Sequence, residues 1–310
     1  MHMEILIQLI LLVIGFVLLI KGADIFVDGS SGIAAKFGIP QLVIGLTIVA
    51  MGTSAPEAAV SISAALKGSA DITIGNIVGS NILNILIILG ISSAIVPLAV
   101  ARSTIRYEIP FMILITVLLA LLGLDGSINI IDGIIFLAAF AAYLTYLFLM
   151  AKKEKQEEET PEDISAPKAV IFIILGLGMI ILGSNFTVDA ASAIAKALGL
   201  SERFIGLTIV ALGTSLPELF TSVSAARKGN ADIAIGNIVG SNIFNILFII
   251  GISTLIVEVP FASNFIFDTI IAAAAAVMLL VCSLAGKGRL KRWAGILMLI
   301  SYAAYFAVIF

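Results

Sequence analysis

The 310-residue chain holds one histidine, one cysteine and one tryptophan, and only 12% of its residues are charged. A zinc cluster or a Ser-His triad needs more imidazole and thiolate than His2 and Cys282 can supply. His2 stands at the extreme N-terminus and reads as a solvated terminal residue. A lone cysteine allows no internal disulfide, and Cys282, inside an apolar run, reads as packing. Seventeen Lys and Arg face 20 Asp and Glu, for a net charge of -3. No basic stripe exists, so no nucleic acid is expected as a partner, and no protein partner is implied. What the chain has in excess is apolar surface: 61% hydrophobic residues and a mean hydropathy of +1.20. A soluble domain is about half apolar and a quarter charged. Most of this chain must therefore face the lipid bilayer or other membrane helices.

An apolar helix needs about 20 residues to cross a bilayer. Ten stretches are candidates, at 4–21, 40–66, 72–97, 106–123, 129–150, 168–186, 201–227, 233–257, 265–285 and 293–309. The expected fold is an all-α integral membrane protein with ten transmembrane helices. Ile5 to Ile20 has no basic stretch before it and no small-residue cleavage site, so it reads as a retained transmembrane helix. Several stretches exceed the bilayer minimum and contain Gly, Pro or Asn, which lets them tilt, kink or break. Residues 152–167, KKEKQEEETPEDISAP, are charged and contain two prolines. They read as a solvated linker between a first half, 1–151, and a second half, 168–310, of five helices each.

The halves are repeats offset by 161 residues. Gly45 to Asn84 matches Gly206 to Asn245 at 30 of 40 positions. Asp28 falls on Asp189 and, with one residue of slip, Tyr143 falls on Tyr305. Because five is odd, the second half must enter the membrane upside down relative to the first. With the N-terminus outside, the cytoplasmic segments hold 14 Lys and Arg and the outside holds Lys67, Lys196 and Arg203. The positive-inside rule then places both termini outside and the linker in the cytoplasm. Inverted repeats of this kind recur in secondary transporters, with a site near the midplane where the repeats meet.

Polar residues cluster in two helices of each half. Thr53, Ser54 and Glu57 are spaced to share one helical face, and Thr214, Ser215 and Glu218 repeat them. On the next helix Asn76, Ser80 and Asn84 step by four, and Asn237, Ser241 and Asn245 repeat them. Asn81 and Asn242 lie beside these stripes, where interhelical glue and a site role are both open. A single hydroxyl in a membrane helix usually bonds back to its own backbone. A buried glutamate is different: without a partner it costs about 3 kcal/mol or more. No Lys or Arg lies within these helices to pair with Glu57 or Glu218, so each must bind a cation or hold a proton. Asp28 and Asp189 read as capping or interfacial residues near membrane ends. Every group on the stripes offers oxygen, which suits a hard ion such as Na⁺, Ca²⁺ or Mg²⁺. Pro56 cannot donate a backbone hydrogen bond and crowds the carbonyl of Gly52. A kink there would turn carbonyls near Ala50 to Thr53, and near Ala211 to Thr214, toward an ion. Glycines 45, 52, 75 and 79, with 206, 213, 236 and 240, are expected to let helices approach closely.

GTSAPE at 52–57 and GTSLPE at 213–218, each followed by GNIVGSN, resemble the alpha-repeats of the calcium/cation antiporter superfamily, in particular its prokaryotic sodium/calcium exchangers. The likeness spans all ten helices. It implies a multi-pass protein of a prokaryotic cytoplasmic membrane that exchanges Na⁺ for Ca²⁺, with those ions as substrates and no cofactor. It implies carboxylate ligands at Glu57 and Glu218, side-chain ligands at Thr53, Ser54, Ser80, Asn84, Thr214, Ser215, Ser241 and Asn245, and main-chain oxygens at Ala50 and Ala211. It further implies one Ca²⁺ position among several Na⁺ positions, and a first helix in each half that slides as a gate. Some members carry Asp at one position matched here by Asn84 or Asn245. Its absence argues against potassium coupling, and an acid typical of proton-coupled members is missing from the second motif helix.

Two ionised glutamates give an empty site a charge of about -2, which resists passage through an apolar barrier. Ca²⁺ neutralises it, and so do two Na⁺, so loaded carriers can switch faces while empty ones cannot. The resemblance implies three Na⁺ per Ca²⁺ and a voltage-sensitive cycle. A Ca²⁺/H⁺ antiporter on the same fold, another divalent cargo and a channel are alternatives. A more remote one is an intramembrane hydrolase using Ser54 or Ser215, which lacks a His or Lys base in the membrane.

Overall fold

A computed structural model describes residues 2–67, 71–153, 165–198 and 211–309. Its helices in chain order are α1 His2–Phe37, α2 Gln41–Thr53, α3 Ala55–Leu66, α4 Ile72–Ile95, α5 Thr104–Asp125, α6 Ile130–Lys153, α7 Ala166–Ala197, α8 Ala211–Thr214, α9 Leu216–Arg227, α10 Ala231–Ile256, α11 Ser263–Ala285 and α12 Arg292–Ile309. Among the described residues, eight helices are long and apolar enough to cross a membrane, or nine with α2 and α3 taken as one bent span. The chain is an integral multi-pass membrane protein. The stretch expected at 201–227 begins outside the described residues, and its described part is α8 and α9.

Burial sorts the helices. Within the protein, 94% of the apolar window of α10 and 72% of that of α4 is buried, against 17% for α1 and for α12. A helix apolar on all sides can face either lipid or protein. The polar stripes decide here, because Asn and Ser need partners that lipid cannot offer. The halves interleave. The last helix of the first half, α6, packs on α10, and the last of the second half, α12, packs on α4. Two short ribbons, absent from the all-helical expectation, also join the halves: Leu98–Ala99 (β1) pairs with Arg289–Leu290 (β4), and Ser127–Ile128 (β2) with Val259–Pro260 (β3), both antiparallel.

Two elements run beyond the apolar stretches that mark them. Rather than ending at 21, α1 continues for 36 residues, about 54 Å of helix. Lys21, Asp24 and Asp28 end the apolar run without ending the helix. Ala23, Phe26, Val27 and Ser30 are buried on the inner face. Ser224 donates to Asp24 Oδ1 at 2.6 Å, and Lys228 donates to Asp28 Oδ1 at 2.6 Å. In the second half α7 extends past 186 to Ala197. Of the stretch 152–167, Lys152 and Lys153 finish α6 and Pro167 falls in the first turn of α7. Proline has no N–H to lose in a first turn, so it opens a helix well. Residues 154–164 lie outside the described part.

α1 and α7 lie antiparallel in near backbone contact. A Cβ on Gly22 would sit 2.9 Å from the Gly176 carbonyl oxygen, and one on Gly15 would sit 2.9 Å from that of Gly183. α2 and α10 cross closely too, at Gly45, Gly236 and Gly240. The other glycines singled out from sequence act differently. Gly52, Gly75 and Gly213 face only side chains, Gly79 has nothing within 4 Å, and Gly206 lies outside the described residues.

Candidate functional site

Each half breaks a helix at one serine. In α2, a π-helical turn at Gly45–Val49 leads into the α-turn Ala50–Thr53. Ser54 then leaves helical geometry, with φ -81° and ψ 8°, and α3 restarts at a bend of 49°. Pro56 supplies the cause: it lacks an N–H, and its ring crowds the preceding turn. Ser215 (φ -88°, ψ 3°) separates α8 from α9 in the same way, ahead of Pro217. Both restarts put a glutamate in the first turn, Glu57 in α3 and Glu218 in α9. A helix N-terminus favours negative charge there.

The two breaks face each other. Ser54 donates to Glu218 Oε1 at 2.8 Å, and Ser215 donates to Glu57 Oε1 at 3.3 Å. Each glutamate is therefore held by the serine of the opposite half. Both carboxylates are 1% exposed, and the second oxygen of each, Oε2, is buried without a hydrogen-bond partner. Further bonds cross between the halves. Thr53 donates to Asn237 Oδ1 at 3.0 Å, Ser241 to the Ala50 carbonyl at 3.3 Å, and Ser215 also approaches Ser80 at 3.5 Å. The Ala50 carbonyl keeps its helical bond from the Ser54 N–H at 3.0 Å. It takes part in the site without having been released by the kink.

α4 and α10 supply the amides. Asn84 and Asn245 each begin a π-helical stretch, Asn84–Leu89 and Asn245–Ile250. Such widened turns are frequent at functional sites. Oδ1 of Asn84 and Oδ1 of Asn245 are buried and, like the two glutamate Oε2 atoms, lack hydrogen-bond partners. Asn76 and Asn237, members of the same stripes, turn their NH₂ groups elsewhere. Asn76 donates to the Glu57 carbonyl at 3.3 Å and to Ser61 at 3.0 Å, and Asn237 donates to the Glu218 carbonyl at 3.4 Å and to Ser222 at 2.9 Å. They fasten the glutamate helices to their neighbours.

Of the twelve residues expected at the site, Ala50, Thr53, Ser54, Glu57, Ser80, Asn84, Ser215, Glu218, Ser241 and Asn245 are all buried. Hydrogen bonds between the two halves reach every one of them, and leave Oε2 of both glutamates and Oδ1 of Asn84 and Asn245 without partners. Thr214 is half-buried at the end of α8, and Ala211 opens that helix. A further carboxylate, Glu108, is also buried and accepts from Tyr146, away from these stripes. An acid inside the apolar stretch 106–123 was the available sign of it. The assembled donor set is all oxygen, with two carboxylates, and the arginine of its helices, Arg227, ends α9 in the last turn, away from Glu218 in the first, an arrangement that suits a hard cation.

The whole chain is also similar to known proteins. A profile of the family described as sodium/calcium exchanger protein matches residues 7–149 and again 168–310. The sodium/calcium exchanger MaX1 of Methanosarcina acetivorans is 32% identical, over 98% of this chain and 99% of its own. The inner membrane protein YrbG of Escherichia coli is 38% identical over 79% of each chain. A solved structure of the sodium-calcium exchanger NCX_Mj, soaked with 2.5 mM Na⁺ and 10 mM Sr²⁺, superposes with a TM-score of 0.86 at 34% identity, covering 98% of this chain and 99% of that one.

Proposed function

The chain belongs to the sodium/calcium exchanger family, and from that premise we propose that it carries Na⁺ and Ca²⁺ in opposite directions by presenting one buried site alternately to the two faces of a prokaryotic cytoplasmic membrane. The observation that carries this reading is the reciprocal pairing of Ser54 with Glu218 and Ser215 with Glu57. It leaves four buried acceptor oxygens, on Glu57, Glu218, Asn84 and Asn245, with no donor assigned to them. Buried acceptors of that kind are costly without a partner, and a bound cation would complete all four.

The ligands are Glu57 and Glu218, with Thr53, Ser54, Ser80, Asn84, Thr214, Ser215, Ser241 and Asn245 and the carbonyls of Ala50 and Ala211. Glu57 and Glu218 supply a charge of about -2, matched by one Ca²⁺ or two Na⁺, so an unloaded site resists crossing the apolar barrier. A third Na⁺ would make the cycle electrogenic, with membrane potential acting at about 2.3 kcal/mol per charge per 100 mV. The chain crosses the membrane ten times as two inverted halves, 1–151 and 168–310, joined by a cytoplasmic linker, with both termini outside. The antiparallel packing of α1 on α7 supports that inversion, and the balance of Lys and Arg supports the orientation. The same smooth glycine contact suits α1 and α7 to slide together over the site.

The test is ⁴⁵Ca²⁺ uptake into proteoliposomes of the purified protein, driven by an outward Na⁺ gradient at fixed pH, and repeated with an outward H⁺ gradient and no Na⁺. Uptake only with Na⁺ is expected. Uptake only with the proton gradient would move the assignment to Ca²⁺/H⁺ exchange, and no uptake in either would remove Ca²⁺ as cargo.

A further inference from the structure

Asn84 and Asn245 can serve a cation only through their oxygens. The other end of each amide is an NH₂ that repels a cation, and the two ends have nearly the same shape. Something must fix which end faces the site. We propose that Asn81 and Asn242 do so: they are positioning residues that hold the amide oxygens of Asn84 and Asn245 toward the transported ions. This rests on the assignment of the site given above.

Two backbone carbonyls set the first links. Asn81 Nδ2 donates to the carbonyl of Asn242 at 3.2 Å, and Asn242 Nδ2 donates to the carbonyl of Asn81 at 3.1 Å. A carbonyl can only accept, so each of these amides must turn its NH₂ toward it. Their own oxygens then point away. Asn245 Nδ2 donates to Asn81 Oδ1 at 3.0 Å, and Asn84 Nδ2 donates to Asn242 Oδ1 at 2.9 Å. An amide oxygen can also only accept, so Asn84 and Asn245 must present NH₂ on that side. Their oxygens are left on the other, and these are the two that have no hydrogen-bond partner. All four asparagines are at most 2% exposed, so no bulk water can compensate an amide set the wrong way round. Orientation is dictated, link by link, from the peptide backbone to the site.

The same chain of links constrains what position 245 accepts. An ionised aspartate there would set one acceptor against another, Asn81 Oδ1, at the distance of the present hydrogen bond. Asn81 therefore favours an amide at 245, and Asn242 favours one at 84.

The test is a double-mutant cycle read by ⁴⁵Ca²⁺ equilibrium binding to the purified full-length protein, with thermal melting to confirm folding. Asn81→Ala frees the Asn245 amide to turn its NH₂ on the ion and should weaken binding about tenfold. Asn245→Asp alone should also weaken binding. In the Asn81→Ala background the same Asn245→Asp change should instead strengthen binding, to wild-type affinity or better, since a carboxylate offers oxygen from either end. A purely structural role predicts that Asn245→Asp acts alike in both backgrounds, and that result overturns the proposal, as does wild-type binding by Asn81→Ala. If Asn81→Ala does not fold, the mirror cycle of Asn242→Ala with Asn84→Asp is measured, and like effects there overturn it equally. Glu218→Gln is run alongside. Binding that survives it refutes the site itself and the inference with it, whereas binding lost in Glu218→Gln with like asparagine effects refutes only the orienting role.

Discussion

Ser54 and Glu218 lie 164 positions apart, in different halves of the chain, and their side chains meet at 2.8 Å in the protein interior. The mirror-related pair, Ser215 and Glu57, is looser at 3.3 Å. A hydrogen bond to a charged group contributes about 1.5–3 kcal/mol when well formed. Ser54→Ala should therefore weaken Ca²⁺ binding about tenfold, and Ser215→Ala by less. Equilibrium binding to the two purified variants checks this, and a larger loss in Ser215→Ala would contradict the ranking.

Neutralising either carboxylate should separate transport from stability. Glu57→Gln and Glu218→Gln are each expected to cut Na⁺-driven Ca²⁺ uptake about 100-fold or more. Each also removes a buried charge that is costly without its ion, so thermal stability without Ca²⁺ should hold or rise. Uptake at the wild-type rate in either variant would sink the assignment of the site.

Close packing of α1 on α7 predicts a contrast between two glycines. A methyl group at Gly22 would press on the backbone oxygen of Gly176, while Gly178 has nothing within 4 Å. Gly22→Ala should cost about 1–3 kcal/mol and Gly178→Ala should be neutral or stabilising. Thermal unfolding in detergent reads both, and equal melting temperatures would refute the close approach.

The ion pair between Lys228 and Asp28, at 2.6 Å, ties α1 to the end of α9. Its members are 29% and 48% exposed, so the pair contributes at most about 1 kcal/mol. Lys228→Asp and Asp28→Lys singly should lower the melting temperature, and the double exchange should recover most of the loss. High salt should shrink all three differences. Among the described residues, Lys67 and Asp189, at the corresponding positions, form no ion pair with each other, so Lys67→Ala should cost less than Lys228→Ala. A swap no better than the single variants would show that the pair does not hold α1.

Much of this protein was legible in its sequence because the bilayer imposes a simple rule. Apolar length identified eight membrane helices among the described residues, and a ninth with α2 and α3 as one bent span, and the cost of burying an acid without a partner singled out Glu57 and Glu218 as buried acids. Proline chemistry located both helix breaks, at Ser54 and Ser215. Where reading stopped short, the missing information was a contact. α1 passes Lys21 because Asp24 and Asp28 find Ser224 and Lys228 roughly 200 residues away. Gly79 looked like a packing glycine by its place in the repeat, yet nothing lies near it.

The sequence by itself determined the membrane class, the duplication and the chemistry of the donor set, since all three follow from residue type and spacing along one chain. Only the tertiary structure decided which oxygens pair and which are left over. Ser54 could as well have bonded to its own helix, and Asn81 could have been simple glue. Both outcomes depend on which helix of the other half arrives opposite, and hydrogen bonds, being short and directional, are settled only by that arrival.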